Sequence, residues 1–134
     1  MSAARDVALA FSVVNGFPLA LQADDALHIG DGETPPSVPR IDLGRLVGGP
    51  GASGPDRRFV ILGPRLVAVL LGQQVSVRRV PIEALQPLPA LVASAGAAFG
   101  CVGLVQESDH YAFLLDATRL EGLAAESNRE HGSL

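Results

Sequence analysis

The chain has 134 residues, is 48% apolar and carries a net charge of −4 at neutral pH. That length suits one domain, able to bury about 68% of its unfolded surface, and no apolar run approaches the ~18 residues of a membrane span. All ten positive charges are arginine, paired only at Arg57-Arg58 and Arg78-Arg79, so there is no concentrated basic face for nucleic acid; the single cysteine, Cys101, excludes an internal disulfide and a multi-cysteine metal site.

In "DVALAFSVV", Val7, Leu9, Phe11 and Val13 fall on one face and Ala8, Ala10 and Ser12 on the other. Period two means a strand. Asn15-Gly16 follows, the pair that a type I′ turn asks for because both central residues take positive φ. "FPLALQA" then returns with Phe17, Leu19 and Leu21 alternating, so the first 22 residues form a hairpin. A stub of strand is expected at Leu27 to Ile29. Residues 30 to 56 hold seven of the fifteen glycines and five of the ten prolines, the composition of a loop. Inside this stretch, Asp42 is placed to cap a single helical turn through Leu43, Leu46 and Val47.

Phe59 to Leu62 reads as a strand, Gly63-Pro64 as a turn and Leu66 to Leu71 as a continuous apolar strand. Gly72 marks a bend, and Val75, Val77 and Val80 continue the alternation. "PIEALQPLP" is an extended connection, "ALVASAGAA" a loose helical turn, and "FGCVGLVQ" and "YAFLL" are strands joined by the turn "ESDH". Asp116 then caps a short C-terminal helix with Leu120 and Leu123 at helical spacing. Many short strands and no long alternating helices make the fold all-β, a barrel or sandwich. One domain is expected over residues 1–125, with a C-terminal tail over 126–134.

Few residues offer chemistry. "ESDH" gathers two carboxylates and His110, but a polar hairpin turn is the simpler account, since adjacent side chains in a tight turn point different ways. Cys101 lies in an apolar strand, where cysteine acts as a small buried hydrophobe. "GGPGASG" lacks the Lys-Ser/Thr of a phosphate-binding loop. Catalytic, cofactor-binding and metal-binding residues are therefore expected to be none, and the protein is not read as an enzyme. The opening "MSAARDVALAF" alternates, unlike a signal peptide, and the expected location is the cytoplasm.

The order of these segments resembles the CheW-like family, the adaptor modules of bacterial chemosensory arrays and the regulatory domain of CheA-type histidine kinases. "FSVVNGFPLAL" stands where the family opens with a hairpin, and Ala26, His28 and Ile29 where it has a "V-x-E-I" stub. "VPRIDLG", Val38 to Gly44, matches "V-P-x-x-D-L". Leu71-Gly72 replaces the usual Val-Asp, with Val75 retained. "LQPLP" from Leu85, Gly103 to Val105, and Leu114, Leu115, Asp116 and Leu120 complete a series spanning residues 7 to 123.

The resemblance implies two small SH3-like β-barrel subdomains packed together, and a non-catalytic adaptor or scaffold in a chemotaxis-type pathway. Its partners would be a CheA-type kinase or another CheW-like protein. Between the stub and "VPRID" this chain has only "GDGETPPS", where the family carries a further strand with an arginine and a glycine. The first subdomain is thus expected to be trimmed and receptor-tip binding doubtful. The second, grouped as Phe59 to Val80 with Gly103 to Leu115, is expected to be complete. Candidate partner-binding residues are His28, which replaces the family's glutamate, with Ile29, Val38 and Ile41; the other reading of the three aliphatic residues is core. Two alternatives stay open: a specialised partner or antagonist that binds no receptor, and a small β-barrel that binds a ligand or is an unrecognised enzyme.

Overall fold

The computed structural model describes residues 5–49, 51, 57–72 and 74–132. Strands β1 (Asp6–Val14) and β2 (Phe17–Gln22) form the expected hairpin, turning at Asn15 and Gly16 with φ of 50° and 82°. Then come β3 (Ala26–Asp31), β4 (Arg40–Asp42), the single-turn helix α1 (Leu43–Leu46), β5 (Arg58–Leu62) and β6 (Val67–Leu70). The chain continues through β7 (Ser76–Pro81), β8 (Leu85–Pro87), the short helix α2 (Ala93–Ala97), β9 (Cys101–Gln106), β10 (Tyr111–Leu115) and helix α3 (Ala117–Gly132). α3 is longer than expected and runs on past residue 125. Among the described residues no helix is long and apolar enough to cross a membrane.

The strands make two sheets, ordered β7-β1-β2-β10-β9-β8 and β3-β5-β6-β4. Both are mostly antiparallel; β10 runs parallel to β2 and β4 parallel to β6. Neither order closes on itself through hydrogen bonds, so the two expected barrels are curled open sheets. The smaller one is trimmed as expected, because residues 32–39 link β3 to β4 without a strand.

The membership of the sheets differs from the expectation. Phe59 to Leu62 and Val67 to Leu70 pair with β3 and β4, while the opening hairpin joins β7 to β10. The chain starts in the six-stranded sheet, leaves it for four strands, and returns after Leu71. Sequence order therefore groups the strands wrongly, because a strand's neighbour is set by where the chain crosses between sheets.

Apolar side chains pack in three layers. Leu9, Phe11, Ala20, Val105 and Ala112 lie inside the curl of the larger sheet. Leu19, Leu21, Ile41, Val60, Leu62, Val69, Leu115 and Leu120 fill the space between the sheets and α3. Phe59, Ile61, Ala68 and Leu70 form a third layer on the far side of the smaller sheet. β1 and β2 are buried on both faces, since Phe11 pairs with Ala20 towards one layer and Ser12 with Leu19 towards the next. Asp42 caps α1, accepting from the Gly44 N–H at 2.9 Å. Asn15, in the hairpin turn of the other sheet, donates to the Gly44 carbonyl at 2.9 Å.

Candidate interaction surfaces

Among the described residues β3 is an edge strand, paired with β5 alone. His28 lies opposite Ile61, with its ring 6.2 Å from that of Phe59. Ile29 lies opposite Val60, so its side chain projects from the other face, 36% exposed. The register slips between Ala26 and His28. Leu27, in that irregularity, is 61% exposed, and it rests beside Gly63. Sequence reading passed over Leu27; the signal that could have found it is the bulge, which breaks strict alternation, and no sequence pattern marks it.

The other two candidates are not on this strand. Val38 is half-buried and packs on the layer of Phe59, Ile61, Ala68 and Leu70. Ile41 lies opposite Val69 and is 5% exposed. Of its two readings, core is the one this position fits: the parallel pairing of β4 with β6 turns Ile41 into the layer between the sheets.

A second surface is the mouth of the curled six-stranded sheet. In the "ESDH" turn both carboxylates converge on the imidazole, contrary to the expected divergence. His110 Nε2 is 2.6 Å from Glu107 Oε2 and Nδ1 is 2.7 Å from Asp109 Oδ1. The Glu107 N–H donates to the His110 carbonyl at 2.8 Å and closes the turn. Glu107 Oε1 also meets Arg78 Nη2 at 2.8 Å, and that guanidinium sits 3.9 Å above the Phe11 ring. Arg78 thus ties β7 to the β9–β10 turn across a groove of about 850 Å³ that Ser12, Ser76 and Val80 also line. Its neighbour Arg79 pairs with Asp6 at 3.9 Å, so both arginines of this basic pair are matched to acids.

The hydrogen bond to Asp109, joined by the charges of Glu107 and Asp109, raises the His110 pKa above its ordinary value. The same hydrogen bond lowers that of Asp109. His110 therefore stabilises the turn fully below its unfolded pKa, and this contribution is lost as pH rises through the raised folded value. Asp109 contributes above its unfolded pKa and is lost as pH falls through the lowered folded value. In an NMR titration, His110 is expected to lose its proton at higher pH in the folded chain than in the urea-unfolded chain. Asp109→Asn should move the His110 midpoint down, and an unmoved midpoint would dissociate Asp109 from it.

The segment from Leu88 to Phe99 has no charged residue and exposes Leu91 at 96% and Val92 at 45%. Cys101 is buried as expected, its Sγ donating to the Gly103 carbonyl at 3.3 Å. Burial raises its pKa, which keeps it a thiol. Among the described residues no group of three or more His, Cys, Asp or Glu could hold a metal ion.

No protein-family model matches the sequence, and no curated protein sequence matches it. The fold is similar to a solved structure, the scaffolding protein TtCheW from Thermoanaerobacter tengcongensis. The TM-score is 0.65 at 13% identity, over 84% of this chain and 90% of that one. This likeness gives the chain a CheW-like fold of two sheets, divergent in sequence, with residues 32–39 linking β3 to β4 without a strand.

Proposed function

We propose that this protein is a non-catalytic adaptor of a bacterial chemosensory pathway. It works in the cytoplasm by contact with a CheA-type histidine kinase regulatory domain or with another CheW-like protein. The observation that carries this reading is the fold shared with a scaffolding protein over most of both chains. A modest interface of this kind draws most of its binding from a few anchors. His28 and Ile29 on β3 and the half-buried Val38 are the candidate contacts, with Leu27 added by its exposure.

Within this reading the protein is a specialised adaptor that favours kinase over receptor. The supporting observation is the short link at residues 32–39, which stands in place of a strand. The test is calorimetric titration of the purified chain with a kinase regulatory domain and, separately, a receptor signalling tip at matched salt. The kinase domain is expected to bind about tenfold or more tightly, a difference of roughly 1.4 kcal/mol. Equal or tighter binding to the receptor tip removes the specialised reading, and no binding to either of these or to a CheW-like protein titrated in the same way removes the adaptor reading. A second reading, a small-ligand binder, draws on the groove where Phe11, Arg78, Glu107 and His110 meet; retention of a small molecule by the native protein would favour it.

A further inference from the structure

The four sheet ends of this molecule are not alike. β7 is guarded by Arg78, Arg79 and a terminal proline, Pro81, devices that discourage pairing at an edge. β8 and β4 are three residues long, β8 ending in Pro87 and β4 following Pro39. β3 alone offers six residues without a proline, and it carries Leu27 and Ile29 exposed on its length. The segment that follows it contains Pro35, Pro36 and Pro39, whose nitrogens have no hydrogen to donate to a neighbouring strand. That segment cannot supply the missing ladder.

The charge at the head of β3 is also one-sided. Burial raises the Asp25 pKa, and the nearby carboxylates of Asp116 and Asp24 raise it further. Asp24 and Asp25 stand in the turn that leads directly into Ala26, the first residue of β3. A cation brought there by a binding partner would relieve their repulsion.

We propose that β3 is a strand-addition site. Its occupant is an extended segment of a protein partner with apolar side chains at alternate positions and a basic residue at the end beside Asp24 and Asp25. Main-chain hydrogen bonds to β3 would hold it, with Leu27 and Ile29 as side-chain contacts and the acids setting its position. The site would extend the smaller sheet to five strands. It does not depend on the kinase reading, since the edge is available to any segment of this chemistry.

The probe is a capped synthetic peptide, Lys-Val-Thr-Val-Thr-Val-Lys, added to the full chain, with amide hydrogen exchange followed by NMR. The expected result is slowed exchange confined to Ala26–Asp31. The same peptide with glutamate at both ends should bind at least about fivefold more weakly, because like charges then meet. Backbone N-methylation of its central residues should abolish the protection. The Asp24→Asn/Asp25→Asn variant, with its thermal melt checked for intact folding, should lose the preference for lysine ends. Protection at β7 or elsewhere, binding indifferent to N-methylation, or no protection at millimolar peptide would each overturn the proposal. The assay contains neither kinase nor receptor, so its failure and that of the adaptor reading are separate outcomes.

Discussion

Leu115→Ala is expected to cost about 2–5 kcal/mol of stability, the range for emptying a buried leucine site. Leu115 is 3% exposed and lies in the layer between the sheets, with Leu120 of α3 and Cys101 of the neighbouring strand. Along β10, Ala112 and Leu114 face the interior of the larger sheet, while Phe113 and Leu115 face the other sheet. Deleting the side chain opens a void where strands from both sheets and a helix converge, so no single element can move in to fill it. Urea unfolding at fixed pH measures the change. A near-neutral result would mean that Leu115 lies outside the core.

Gly72→Ala is expected to destabilise by about 1–3 kcal/mol, the usual cost of forcing an extra methyl group into a packed site. A Cβ at Gly72 would run into the backbone carbonyl oxygen of Val13. That oxygen belongs to β1 and cannot rotate away as a side chain could. Gly72 lies where the chain leaves the smaller sheet for the larger, and its N–H donates to Ser12 Oγ at 3.1 Å. The Ser12 hydroxyl in turn donates to the Gln74 carbonyl at 2.9 Å. Ser12 is 6% exposed, a buried polar residue whose hydrogen bonds hold the crossover against β1. Thermal and urea unfolding of Gly72→Ala should show the loss. A wild-type melting temperature would show that the crossover stands off β1 and that Ser12 does not hold it.

Much of the local structure is legible in the residues. Alternation marks β1, β2, β9 and β10, Asn15-Gly16 marks the hairpin, and Asp42 and Asp116 mark the starts of α1 and α3, where they accept from the Gly44 and Arg119 N–H groups. These signals are local, since a turn needs particular φ values and a cap needs one acceptor. The loop reading of "GETPPS" is local too, because proline and glycine disfavour a regular ladder there, although the Gly30 and Asp31 that precede it join β3 and pair with Phe59 and Arg58.

The candidate surfaces were less legible. His28 and Ile29 lie on an edge strand, Ile41 takes the core reading that its sequence left open, and the exposure of Leu27 has no mark in the sequence. The cluster of Arg78, Glu107, Asp109 and His110 was half visible as "ESDH"; its other half comes from a strand far away in the chain. Whether Glu107 meets Arg78 depends on how the larger sheet curls, and no spacing encodes that.

By itself, the sequence determined an all-β chain of short strands with a trimmed segment after β3, and a resemblance that the fold then bore out. Those features follow from backbone preferences and from the apolar period of each segment. Only the tertiary structure decided which strands share a sheet, which face of β4 is buried and which sheet edge is left open. Each of those depends on where the chain crosses between the two sheets, and a crossing is settled by packing between segments distant in sequence.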